Sequence, residues 1–347
     1  QMQFMKTKLM IVGWGYPPKI DGGLDIAVKE LFEGLKSQEI DVTLMLPAKR
    51  APEEKNIISV EVEGDMFSKA EQLSRKAAEK ASDYDIIHTH DWFGAEAGFK
   101  ASKYSDVKWV STFHSLSSSR SRTPSEKLEK LEEIGLKKSD QAVAVSDKLA
   151  DEIEEKYGER PLTVYNGFSG IENQKDIDFD VDKPVFFYVG RHAEQKGLEH
   201  LLYGFKKYLE NNEGLLVLGG DGHLKSSLEE FVEILGIEEY VRFEGFIPDR
   251  ELGGYYSAAD VFISPSINEP FGLTISEALD SETPVVCTES GINELLPSEA
   301  VTLVEPESDS IAEGLQKSLE KESVSVDGRS WNEMVDEYIE IYSDLIQ

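Results

Sequence analysis

Cysteine, basic residues and long apolar runs are all scarce in this chain. Cys287 is the single cysteine in 347 residues. One thiol forms no intramolecular disulfide and no thiolate metal site, so the fold must rest on its core, and a reducing, cytoplasmic setting is expected. No stretch approaches the roughly 20 apolar residues of a membrane-spanning helix. The early apolar run at 9–12 is too short for a secretory leader and leads into Gly13, so neither a signal peptide nor an integral membrane segment is expected.

Positive charge is the other scarcity. The chain has 36 Lys+Arg against 67 Asp+Glu, a formal net charge of −31. Such a surface repels polyphosphate backbones and anionic lipid, so no nucleic-acid partner is expected. Self-repulsion also strains the compact state, and salt relieves that strain. A salt-rich cytoplasm and an ordinary acidic protein are equally compatible with this balance. A hydrophobic content of 40% nevertheless predicts folded cores, and the length suits two domains.

Short apolar runs alternate with amphipathic segments. Strands are predicted at 9–12, 42–46, 85–87, 109–113, 142–145 and 162–165, with a helix at 24–35 whose apolar face is Ala27, Val28, Leu31, Phe32 and Leu35. An acidic, aperiodic stretch at 171–183 reads as a linker. The pattern restarts with strands at 184–189, 215–218, 241–243, 260–264, 284–287 and 301–304. Helices follow at 197–209 and 274–279, and a final one at 331–346 has one apolar face. Such alternation predicts an α/β protein of two Rossmann-like domains, with parallel sheets facing across a cleft. The expected domains are 1–170 and 171–330, followed by the last helix. Ligands in such sheets bind beyond the carboxyl ends of the strands.

Candidate residues are therefore those that follow strands. Gly22 and Gly23 open the first helix, where backbone N–H groups can approach a phosphate. His88-Thr89-His90-Asp91-Trp92-Phe93 follows the strand at 85–87. Its histidines are a thin metal set, and sugar contacts by His90, Asp91 and Trp92 suit it better, beside the alternative of a buried strand end. His114 ends the strand at 109–113 and could offer its ring or carbonyl to a sugar. Arg191 and Lys196 bracket a strand-to-helix loop, where two cations can neutralise a diphosphate leaving group. Glu269 lies in a later loop, and Glu277 follows eight residues on. Between them Phe271, Gly272, Leu273 and Thr274 lead into a helix whose free N–H groups suit phosphate. Glu277 would then address something neutral nearby, and a ribose diol fits.

The Glu269-x7-Glu277 segment, Arg191-x4-Lys196, Gly219-Gly220-Asp221-Gly222 and Glu244-Gly245-Phe246 together resemble the retaining glycosyltransferases of the GT-B fold, family GT4 and the related GT5. His88-Thr89-His90-Asp91-Trp92 and Thr112-Phe113-His114 are similar to the first half of glycogen and starch synthases. The resemblance implies a hexose, glucose first, moved with retention from a UDP-, ADP- or GDP-sugar to a glycan acceptor. It also implies no metal or other cofactor, and a last helix, 331–347, that crosses back onto the first domain, 1–170. His114, Arg191, Lys196 and Glu269 become the catalytic candidates. Gly22, Gly23, Phe271, Gly272, Leu273, Thr274 and Glu277 become the donor-binding ones, with His114 acting through its backbone carbonyl and Gly23 approaching the phosphate. A GT4 transferase acting on a lipid-linked or small soluble acceptor is the alternative; a sugar-nucleotide epimerase on the same fold is less favoured. Oligomeric state is left open.

Overall fold

The computed structural model describes residues 7–120, 125–168, 175–321, 324, 326 and 328–347. The chain divides into two compact units. Unit 1 comprises residues 1–167 and 329–347, and unit 2 residues 168–328. The first part of the anticipated linker, 171–174, lies outside the described residues.

Unit 1 runs β1 (Lys8–Val12), α1 (Gly23–Ser37), β2 (Asp41–Pro47), β3 (Ile57–Val60), α2 (Met66–Lys80), β4 (Ile86–His90), α3 (Asp91–Tyr104) and β5 (Lys108–Phe113). It continues through α4 (Ser117–Arg120), α5 (Glu126–Lys138), β6 (Gln141–Ala144), α6 (Asp147–Tyr157) and β7 (Leu162–Thr163). Unit 2 contains β8 (Val185–Val189), α7 (Leu198–Leu209), β9 (Leu215–Gly219), α8 (Lys225–Leu235), β10 (Val241–Gly245), α9 (Asp249–Ala258) and β11 (Val261–Ser264). It ends with α10 (Leu273–Asp280), β12 (Val285–Cys287), β13 (Val301–Leu303) and α11 (Ser308–Ser318), after which α12 (Trp331–Ile346) belongs to unit 1.

The unit 1 sheet has strand order β3-β2-β1-β4-β5-β6-β7, and the unit 2 sheet β10-β9-β8-β11-β12-β13. Every pairing is parallel. A parallel strand covered on both faces must be apolar throughout, which explains Leu9-Met10-Ile11-Val12, none of it exposed. Leu9 and Ile11 face α1 and α12; Met10 and Val12 join Ile87 and Trp109 on the side of α2 and α3.

The last helix has a local reason to start where it does. Ser330 and Glu333 form a capping box, with the Ser330 side chain accepting from the Glu333 backbone. Met334, Val335, Tyr338 and Tyr342 then enter the core formed by α1 and β1. Packing against α1 is close: a Cβ on Gly34 would lie 2.5 Å from Val335 Cγ2.

Each sheet reverses its strand order once, between β1 and β4 in unit 1 and between β8 and β11 in unit 2. Crevices outside the carboxyl ends at such points are the usual ligand positions in open α/β sheets.

Candidate active site

In unit 2 the reversal brings together residues far apart in sequence. Lys196 sits in a turn after β8 and Glu269 in the loop after β11; Lys196 Nζ lies 2.5 Å from Glu269 Oε2. Both side chains are largely covered, and Ser266 Oγ donates to the same Glu269 oxygen at 3.0 Å. The two loops are also tied by backbone, with Ile267 N–H donating to the Gln195 carbonyl at 2.8 Å. Gly197 has φ of 66°, and a Cβ there would sit 2.1 Å from the Pro265 carbonyl oxygen. Only glycine allows that approach. Arg191 is exposed at the end of β8, its carbonyl accepting from the Tyr188 hydroxyl at 3.2 Å.

The loop from Glu269 leads directly into α10. Gly272 is its N-cap in the left-handed region, and no described side chain caps this terminus. The first N–H groups, at Leu273 and Thr274, are therefore oriented for an anionic ligand. Phe271 is buried, its carbonyl accepting from Ile292 N–H at 2.8 Å. Glu277 lies one turn further in. The Tyr256 hydroxyl donates to its carboxylate at 2.8 Å. Burial pushes the Glu277 carboxyl up to about 7, against the lowering effect of the Tyr256 bond and with a further rise from Asp249.

In unit 1, β4 runs further than expected, and residues 88–90 form the buried strand end that the sequence left as the alternative. His88, Thr89 and His90 do not follow β4; they are its last residues, and Asp91 opens α3. Asp91 has φ of 48°, a conformation uncommon for residues other than glycine but tolerated by Asp. Its carboxylate accepts from the backbone N–H of His114 at 2.7 Å and of Ser115 at 3.3 Å. His90 Nδ1 meets His114 Nε2 at 3.0 Å. The ends of β4 and β5 are thus joined twice. Trp92 is half-buried, packed on Phe67 and Phe93 with ring centroids 5.2 and 6.3 Å away.

His88 is wholly buried, its ring nitrogens meeting the hydroxyls of Tyr342 at 2.6 Å and Thr112 at 2.8 Å. Gly22 and Gly23 stand exposed at the N-terminus of α1, with open space where a Gly22 Cβ would be. Beneath them Asp25 is buried, accepting from Asp21 N–H at 2.7 Å, and burial raises its carboxyl. Arg50 pairs with Asp21 at 2.7 Å. No group of described His, Cys, Asp and Glu side chains has a metal-holding arrangement.

Sequence reasoning missed two partners. Ser266 precedes Glu269 by three residues, a spacing that could have marked it. Tyr256 lies 21 residues from Glu277, and no spacing in the sequence marks it.

Comparison with known proteins decides the family. A model described as glycosyl transferases group 1 matches residues 170–334, and one described as Glycosyltransferase Family 4 matches residues 21–169. An uncharacterized glycosyltransferase of Methanocaldococcus jannaschii is 30% identical, the match covering 90% of this chain and 89% of that protein. The chain belongs to the family 4 glycosyltransferases. A D-inositol 3-phosphate glycosyltransferase of Corynebacterium jeikeium is 27% identical to this glycosyltransferase over 78% of the chain and 76% of the relative. A glycogen synthase of Mycobacterium tuberculosis is 24% identical over 82% of the chain and 78% of the relative. Sucrose-phosphate synthase from Thermosynechococcus elongatus shares the fold, with a TM-score of 0.81, 21% identity and coverage of 98% of this chain and 99% of that one. The fold is accordingly GT-B. Among the described residues, no helix of this glycosyltransferase is long and apolar enough to cross a membrane.

Proposed function

We propose that this glycosyltransferase moves a hexose, glucose first among the candidates, from a nucleoside diphosphate sugar to a glycan acceptor with retention of configuration, as a cytoplasmic glycogen- or starch-synthase-like enzyme. The observation that carries the reading is the assembly at the unit 2 switch point: Lys196 on Glu269 beside the uncapped start of α10.

In this reading the diphosphate takes the N–H groups at Gly272–Thr274, and Arg191 and Lys196 offset the charge that grows on it as the glycosidic bond breaks. Glu269 contacts the sugar hydroxyls, and Glu277 accepts from the ribose hydroxyls. These cations and the helix terminus do the neutralising work, so no resident metal is required. In unit 1, His114 supports the transferred sugar through its carbonyl, with His90, Asp91 and Trp92 on the acceptor side. Gly22 and Gly23 would offer backbone N–H groups to the phosphate.

A second reading, transfer to a small soluble acceptor, is favoured by the inositol phosphate transferase among the relatives. Nucleotide release from UDP-, ADP- and GDP-sugars, each with glycogen, maltooligosaccharides, an inositol phosphate or no acceptor, tests both. Glucan-dependent release with chain elongation from UDP- or ADP-glucose supports the first reading. Release that depends on the inositol phosphate alone overturns it in favour of the second. No release from any nucleotide sugar overturns both.

A further inference from the structure

One face of the unit 1 sheet changes character along its strands. On β4 the side chains facing α1 and α12 are Ile86, His88 and His90, and on β5 they are Val110 and Thr112, with His114 just beyond. Ile86 and Val110 belong to the apolar core. His88 and Thr112, one step nearer the carboxyl ends, are wholly buried polar groups. His90 and His114 close the series.

Two tyrosines of α12 cover the middle step. Tyr342 and Tyr338, four apart on one helix face, supply the hydroxyls that this step needs. Tyr342 Oη lies 2.6 Å from His88 Nδ1, His88 Nε2 lies 2.8 Å from Thr112 Oγ1, and Thr112 Oγ1 lies 2.9 Å from Tyr338 Oη. The two oxygens at the ends of this chain come from a helix more than 220 residues away, with separations of 254 for Tyr342–His88 and 226 for Tyr338–Thr112.

With both ring nitrogens engaged, His88 has one orientation, because rotating the ring would strand two buried polar atoms. The His88 ring lies against that of His90, centroids 4.3 Å apart and planes inclined by 34°. His90 then reaches His114 through Nδ1, while its buried Nε2 has no hydrogen-bond partner among the described residues. A ring held by only one of its nitrogens depends on its neighbours for orientation, and the His88 ring lies nearer to it than the His114 ring, at 4.3 against 5.2 Å between centroids.

We infer that Tyr338 and Tyr342 are positioning residues for the His90–His114 pair, acting through Thr112 and His88, so that the C-terminal helix sets the geometry of the acceptor side. The inference rests on the reading that His90 and His114 serve the sugar and its acceptor.

Tyr342→Phe and Tyr338→Phe each remove one hydroxyl and keep the ring. Val335→Ala weakens the same helix contact without touching the hydroxyl chain. Imidazole 15N correlation spectra of the intact protein report the ring tautomer and environment of each histidine. In Tyr342→Phe the His90 and His114 signals are expected to move along with those of His88, whereas Val335→Ala leaves all three in place. Transfer should fall about ten- to a hundredfold in kcat, with the Kd for nucleotide sugar unchanged. Movement confined to His88, or full kcat in both tyrosine variants below their melting temperatures, overturns the inference. Should the unmodified protein transfer no sugar, the proposed function fails by itself, and the spectra still decide whether the helix orients the pair. Should Tyr342→Phe not fold, Tyr338→Phe gives the same readout from the other end of the chain.

Discussion

The Tyr256 hydroxyl donates to the Glu277 carboxylate at 2.8 Å, and Tyr256 has no exposed surface. The bond favours the ionised carboxylate, yet burial outweighs it and leaves the group at about 7. Glu277 is therefore poised between an acceptor-only carboxylate and a neutral acid. In the proposed function, ribose hydroxyls donate to the ionised form, so donor affinity should follow that ionisation.

Titrating nucleotide-sugar binding between pH 6 and 8 checks this. A sugar diphosphate diester has no ionisation of its own in the window. Affinity should be about tenfold weaker at pH 6 than at pH 8, because roughly one carboxyl in ten is ionised one unit below its midpoint. Tyr256→Phe deletes a bond that lowers the midpoint, so its binding curve should shift to higher pH. A flat profile in the unmodified protein would remove Glu277 from the ribose.

The same ionisation has a stability consequence of definite sign. Glu277 is raised from an ordinary 4.5 to about 7, so the folded state holds a proton that the unfolded state has released. Its contribution is fully present below pH 4.5 and is lost as pH rises through 7. Glu277→Gln lacks this dependence. Relative to the parent, it should gain on the order of 2–3 kcal/mol between pH 4.5 and 8, from about 1.4 kcal/mol per unit less some solvent screening. Urea unfolding of both proteins at pH 5, 6.5 and 8 measures it, and a constant difference across the series would contradict the shift.

Lys196 and Glu269 invite a different comparison. Lys196→Ala leaves Glu269 with the Ser266 hydroxyl, and it removes a cation from the place assigned to the leaving diphosphate. Turnover should drop by about 10²–10³-fold, the scale for losing one preorganised charge-stabilising donor. Glu269→Gln should instead free the ammonium and weaken sugar selection. Steady-state rates on one donor separate the two, and equal losses in KM alone for Lys196→Ala would place Lys196 in ground-state binding.

How much of this was readable beforehand varies by element. The helices α1 and α12 were legible, because a stripe such as Ala27, Val28, Leu31, Phe32 and Leu35 has few other uses. The strand ends in unit 2 were legible as well, since cations are rare in so acidic a chain and two of them follow β8. By contrast α3 hides its helical face. It buries Gly94, Ala95, Ala97, Gly98 and Ala101; a Gly98 Cβ would lie only 2.0 Å from the Trp109 indole, and a Gly94 Cβ 2.7 Å from Thr89 Cβ. The extent of β4 was not legible either. His88 looks like a loop residue until α12 supplies the hydroxyl that meets its buried ring, and no local pattern encodes a partner 254 residues away.

The net charge of −31 gives the last expectation. Ion pairs such as Lys137–Glu133 and Lys317–Glu313 are exposed helix-surface pairs four residues apart, each worth only a few tenths of a kcal/mol. Salt weakens those pairs, but with 67 acidic against 36 basic residues it weakens far more repulsions than attractions. Raising the ionic strength from 0.1 to 1 M shortens the Debye length from about 10 to about 3 Å, below the spacing of most surface carboxylates. The melting temperature should therefore rise steadily from dilute to molar KCl. A chain adapted to a salt-rich cytoplasm would go further, holding its full activity in molar KCl and losing the fold in dilute buffer. A melting temperature that stays level or falls would show that the local pairs outweigh the net repulsion, and it would leave the acidity unrelated to salt.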